Sequence, residues 1–175
     1  MLYVAYGSNM NLEQMNYRCP NSFVVGNGKL NKWRLIFNIH ADVIYTDNNE
    51  DYVPVVVWNI ADNDWNRLDM YEGFPSYYVK QIVDVILDSG EIEKAIVYVM
   101  AENRKGICPP YENYFNGIKI GYIENGIDVE YLYEALKYSY DNETEYNKYN
   151  MKDVMQWEKA KMLTWILFAL TVGTL

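Results

Sequence analysis

Tyr3-Val4-Ala5-Tyr6-Gly7-Ser8-Asn9 is the stretch that decides how the rest of the chain is read. A short run of strand-forming residues stops at a glycine, and the next two residues bring a hydroxyl and a carboxamide. A glycine at a strand end lets successive backbone N–H groups converge, and such a concavity accepts an anion. The same residues also make an ordinary glycine turn before a helix. Asn11 is placed to cap that helix, expected over residues 12–18 and stopped by Pro20.

Further strands are expected at residues 23–25, 33–39 and 53–60, where β-branched and aromatic residues concentrate, with a polar turn at 46–51. Asp62 is the expected cap of a helix carrying Trp65, Leu68 and Tyr71, and Gly73 stands where a left-handed terminator belongs. Residues 77–87 and 94–101 alternate as a hairpin across Asp88-Ser89-Gly90-Glu91. After the break at Cys108-Pro109-Pro110, helices are expected at 112–124, ended by Asn125-Gly126, and at 129–140, capped by Asp128. A polar loop at 141–150 and a last helix from about 153 complete the reading. Strands gather early and helices late, with one helix among the strands and no internal repeat, which is the order of a single α+β domain. Residues 1–152 are expected to form that domain and residues 153–175 a C-terminal helix with an apolar tail, docked or at an interface.

Composition narrows the function classes. The 175 residues are 50% hydrophobic, enough for one folded core. Fifteen Lys and Arg against 24 Asp and Glu give a net charge of −9, which argues against nucleic acid as partner. Two cysteines, Cys19 and Cys108, and a single histidine, His40, leave little for a metal site or a histidine-based triad. The chain opens without a basic leader, so a cytoplasmic protein is expected. The nearly apolar run at 162–175 is shorter than the ~20 residues that span a bilayer. A membrane role is therefore not expected; the tail is expected to dock on its own domain or on a partner copy in a homodimer.

Three features could carry chemistry. Trp65, Leu68, Asp69 and Glu72 fall on one side of the expected helix, so Glu72 shares the apolar stripe. Lost hydration, the negative end of the helix dipole and repulsion from Asp69 all favour its protonated form and make it a better base. A helix rotated so that Glu72 is solvated fits the pattern equally. The Tyr6–Asn9 loop is the second feature. A Ser8 nucleophile with His40 as its base is set aside, because Gly-Ser-Asn lacks the flanking glycines of a nucleophile elbow and His40 reads as a strand-end residue. The third is Tyr114, which could extend its hydroxyl into a pocket or simply pack.

These features occur together and in one order, and with them the chain resembles the gamma-glutamylcyclotransferase family, including its gamma-glutamylamine-specific and plant stress-induced relatives. The resemblance runs from residues 3–9 through Val55-Val56-Val57-Trp58, Leu68-Asp69-Met70-Tyr71-Glu72-Gly73 and residues 109–114 to Ile120-Gly121 and Glu124-Asn125-Gly126. It implies a bent mixed sheet closing towards a small barrel with surrounding helices. It implies substrate binding by Tyr3, Tyr6, Gly7, Ser8, Asn9 and Tyr114, and Glu72 as the catalytic acid/base. Pro110 stands where such relatives often place a serine, a departure on the leaving-group side. The implied reaction closes a γ-glutamyl amide to 5-oxoproline with release of an amine, with no metal and no cofactor. A non-catalytic metabolite-binding module on the same fold is the alternative reading, one that would tolerate loss of Glu72.

Overall fold

The computed structural model describes residues 1–144. These run through β1 (Leu2–Ala5), a 3-10 turn (Ser8–Met10), α1 (Leu12–Arg18), β2 (Phe23–Asn31), β3 (Trp33–Asn38), β4 (His40–Tyr45) and β5 (Tyr52–Asn59). They continue through α2 (Trp65–Glu72), β6 (Tyr78–Leu87), β7 (Ile92–Met100), α3 (Glu112–Glu124) and α4 (Glu130–Asp141). The polar loop expected to reach residue 150, the helix from about 153, the apolar tail and the boundary at 152 lie outside the described residues.

Five strands close into a barrel in the order β1-β5-β2-β6-β7, and β3 and β4 form a separate hairpin. This is the α+β domain expected from the order of elements, with the barrel-like sheet that the family resemblance implied. Strand neighbours are antiparallel except at the closing seam, where β1 lies parallel to β7 with Leu2 beside Ala95 and Val4 beside Val97. In β5, Val55, Val56 and Val57 are all inaccessible, so the strand is covered on both faces and reads as a continuous apolar run.

Local chemistry explains where the elements start and stop. The Asn11 side chain accepts from the Gln14 N–H at 2.8 Å and starts α1. The cap of α2 is Asp64, not the expected Asp62. Asp64 is buried, and its carboxylate ties down the preceding loop by accepting from the Asn21 N–H at 2.8 Å and the Ser22 hydroxyl at 2.9 Å. Gly73 ends the helix at φ 65°, a conformation glycine adopts without a Cβ penalty. Glu72 is thereby fixed as the last helical residue. Asp128 assists the start of α4 by accepting from the Glu130 N–H at 3.0 Å.

Two expected strands have other bounds, and β4 was not expected at all. β2 continues well past residue 25, through a bulge between Val24 and Gly26. Gly28 is what lets it do so, because a Cβ there would lie 2.6 Å from the Ile86 carbonyl oxygen of β6. The strand expected over 33–39 stops at Asn38 instead. Ile39 takes φ 64°, donates its N–H to the Cys108 carbonyl at 3.0 Å, and reverses the chain into β4. A β-branched residue rarely adopts that backbone. The reversal delivers Ala41 to one wall of the cleft described next. Among the described residues no helix is long and apolar enough to cross a membrane.

Candidate active site

Every residue that the sequence marked for a site lines one cleft: Tyr3, Tyr6, Gly7, Ser8, Asn9, Glu72 and Tyr114. Ala41, Tyr78 and Tyr98 complete the lining. β1 supplies Tyr3 and the loop that follows it, α2 supplies Glu72 from its last position, and α3 supplies Tyr114 from its first turn. The cleft is narrow, about 30 Å³. A larger groove of about 310 Å³ lies elsewhere, lined by Arg34, Asp51 and Tyr138 among others, and shares no residue with it.

Glu72 is 8% exposed, which decides between the two sequence readings in favour of the buried one. The Asn9 carboxamide nitrogen donates to Glu72 Oε1 at 2.6 Å and to the Tyr3 hydroxyl at 2.8 Å. Asp69 does not act as the bare repelling charge expected of it. Lys80 Nζ sits 2.6 Å from its carboxylate, and the Tyr98 hydroxyl donates to the same group. The helix turns Asp69 towards β6 and β7, where a cation offsets it.

Gly7 is required by space rather than by its backbone angle. A Cβ at that position would lie 3.1 Å from Ala41 Cβ and 3.6 Å from the Tyr114 hydroxyl, filling the cleft where the loop enters it. Beyond Gly7 the chain makes its 3-10 turn, with the Met10 N–H bonded to the Gly7 carbonyl at 3.0 Å. The N–H groups of Gly7, Ser8 and Asn9 meet no acceptor among the described hydrogen bonds, so three donors remain for a ligand.

The five phenols of the cleft sort by where their protons go. Tyr6 donates to the Tyr98 carbonyl at 2.6 Å, Tyr78 to the Ala41 carbonyl at 2.6 Å, and Tyr98 to Asp69. Those three hold the walls together. The Tyr3 and Tyr114 oxygens instead accept, from Asn9 at 2.8 Å and from the Ala41 N–H at 3.1 Å. Their own protons remain available to the cleft. Burial raises all five phenols above their ordinary ionisation range, so they stay donors at neutral pH.

Ser8 Oγ lies 3.1 Å from the Tyr71 hydroxyl, while His40 Nδ1 lies 2.7 Å from the Tyr77 hydroxyl. The described bonds of the serine and the histidine thus point to different tyrosines. Sequence reasoning missed Arg18, which is buried at the end of α1 and contacts both Ser8 and Asn9. It also missed Tyr78 and Tyr98. Their only signal was strand alternation, which does not separate a cleft tyrosine from a core one.

The cleft gathers the buried carboxylate of Glu72 with phenol and N–H donors, an arrangement able to bind a polar group and move a proton. The family model described as gamma-glutamyl cyclotransferase, AIG2-like, matches residues 3–116. Human gamma-glutamylcyclotransferase is 31% identical over 147 residues, covering 78% of this chain and 77% of the relative. The bovine enzyme of the same name is 30% identical over 141 residues, covering 74% of each. A solved gamma-glutamyl cyclotransferase structure superposes with a TM-score of 0.69 at 25% identity, over 89% of this chain and 98% of that one. The chain belongs to the gamma-glutamyl cyclotransferase, AIG2-like family, and is an enzyme of that type.

Proposed function

We propose that this enzyme converts a γ-glutamyl amine or amino acid to 5-oxoproline, with Glu72 transferring the proton and the Tyr6–Asn9 loop holding the glutamyl group. The observation that carries the reading is the meeting of Glu72, Asn9 and the three ligand-free N–H groups in one cleft.

In such a substrate the free α-amine can reach the γ-carbonyl and close a five-membered lactam. Intramolecular attack has a high effective concentration, so the cleft chiefly has to fold the chain of the substrate and exclude other poses. The α-ammonium gives its proton to Glu72, the new C–N bond forms, and the carbonyl carbon passes through an oxyanion. The N–H groups of Gly7, Ser8 and Asn9, or the hydroxyls of Tyr3 and Tyr114, are placed to receive that charge or the α-carboxylate. Glu72 then returns the proton to the departing nitrogen as the old C–N bond breaks, and it relays the second proton of the ring nitrogen the same way, so the lactam is left with one N–H and the amine departs protonated. Tyr6, Tyr78 and Tyr98, whose protons are engaged by the protein, serve as walls. Two free cysteines suit a reducing, cytoplasmic setting.

The test is Glu72→Gln. Glutamine keeps the size of the side chain but cannot accept the substrate's proton, and loss of a positioned base typically costs ~10²–10⁴-fold in rate. Release of 5-oxoproline should fall by that factor while the melting temperature and the affinity for a γ-glutamyl compound persist. Near-normal turnover in this variant refutes the mechanism.

A further inference from the structure

We propose that Arg18 is the positioning residue of this site: its guanidinium locks the side-chain amide of Asn9 in the one orientation that gives Glu72 a donor. The inference rests on the assignment of Glu72 as the proton-transferring group, and it adds a residue that touches neither substrate nor the reacting atoms.

Arg18 is the last residue of α1 and is 8% exposed. Its Nη1 donates to Asn9 Oδ1 and, at 3.3 Å, to Ser8 Oγ, while Nη2 donates to Gln14 Oε1. The guanidinium carbon lies 3.7 Å from the centre of the Tyr71 ring, which stacks it in place. Arg18 Nε is buried without a hydrogen-bond partner.

The chemistry of these groups allows a single arrangement. A carboxamide has an accepting end and a donating end of nearly equal shape, and it can turn over about its last bond. A guanidinium is an obligate donor, so only the oxygen of Asn9 can face Arg18. The nitrogen then faces Glu72 Oε1 and the Tyr3 hydroxyl, as observed. Turned over, the amide would set donor against donor at Arg18 and acceptor against acceptor at Glu72. A neutral amide at position 18 would not prevent this, because it could turn over together with Asn9. Lysine would keep the charge but offers a compact head in place of the planar fork that reaches Ser8, Asn9 and Gln14 at once. Burying a cation with one N–H unsatisfied is costly, so packing alone accounts poorly for arginine at this position; holding Asn9 accounts for it directly.

The experiment reads Arg18→Gln and Arg18→Lys, each made in the unaltered chain and in Asn9→Ala. Arg18→Gln should lower kcat by ~10–100-fold with KM changed by less than ~3-fold, and Arg18→Lys should restore part of the loss. In the Asn9→Ala background neither substitution should lower kcat further by more than ~2-fold, since the group through which Arg18 acts is gone. Effects that multiply across the two backgrounds, or an unchanged kcat in folded Arg18→Gln, overturn the proposal. Should Arg18→Gln not fold, the Arg18→Lys pair decides by the same comparison. A readout independent of turnover separates this inference from the proposed reaction. The Asn9 side-chain NH2 pair, identified in a 15N spectrum by its loss in Asn9→Ala, should be slow to exchange in the unaltered protein. It should shift and exchange faster in Arg18→Gln, with Arg18→Lys between the two. An unmoved pair overturns the proposal whatever the substrate is.

Discussion

Gly121 lies on α3, away from the reacting groups, yet Gly121→Ala should disturb the site. A Cβ at that position would sit 2.7 Å from the Asn11 amide nitrogen, 2.8 Å from the Met10 carbonyl carbon and 2.9 Å from Met10 Cβ. Two of those three atoms are backbone and cannot rotate aside. Ordinary contact would need α3 and the turn at Ser8–Met10 to part by about 0.5–1 Å. That movement pulls on two bonds that join the same segments: Asn125 Nδ2 to the Met10 carbonyl at 2.8 Å, and the Leu12 N–H to Glu124 at 2.9 Å. Overpacking of this kind costs about 1–3 kcal/mol, and the better helix propensity of alanine returns about 1 kcal/mol. The net loss of up to about 2 kcal/mol should lower Tm by up to roughly 8 °C for a chain of this size. Because the turn carries Ser8 and Asn9, KM for a γ-glutamyl substrate should rise as well. Thermal melting and steady-state kinetics on the same preparation check both effects. A variant that melts at or above the unaltered protein with an unchanged KM would show that the close approach of helix and loop does not hold the site.

Two further outcomes are expected. Asp42, 2% exposed, is pushed up to about 6 by burial, against the Met100 and Val43 N–H groups that favour its charged form. A carboxyl that holds its proton more tightly when folded stabilises the fold most below pH ~4, and the contribution of at most about 3 kcal/mol is lost as pH rises through 6. Asp42→Asn should therefore flatten the fall in Tm between pH 4 and 7.5 and raise Tm at the upper end; an identical pH slope in both proteins refutes this. An N-acetylated γ-glutamyl substrate should be inert, because acetylation removes the nucleophilic amine. Its cleavage by water, detected as an N-acetylglutamate product, would identify a hydrolase instead.

Much of this architecture was legible because local and global signals agree. The hairpin of β6 and β7 alternates well enough around Ser89-Gly90 to be read, and α2 carries its own terminator in Gly73. The position of Glu72 followed from counting along that helix. β4 escaped because its turn uses Ile39, a residue with no turn propensity, held by a carbonyl that lies far along the chain at Cys108. The full length of β2 was hidden by Gly26 and Gly28, which read as breakers and act as points of close approach. Asp62 was preferred to Asp64 as a helix cap because the pattern could not show that the loop at Asn21-Ser22 claims the Asp64 carboxylate. Arg18 was invisible as a site residue for a similar reason. A lone arginine at a helix end looks like a solvated charge until the tertiary fold buries it against Asn9.

The parallel seam between β1 and β7 has a consequence for how the cleft comes into being. β1 has its two neighbours in β5 and β7, both much later in the chain, and Leu2 cannot meet Ala95 until the β6–β7 hairpin exists. Closing so long a loop is entropically slow, and folding rates fall as contacts become more distant in sequence. The strand that carries the loop at Gly7–Asn9 thus precedes both of its partners in the chain and can be seated only once they are present. During synthesis its apolar residues wait for partners that emerge later, and the seam beside the cleft cannot close before the β6–β7 hairpin forms.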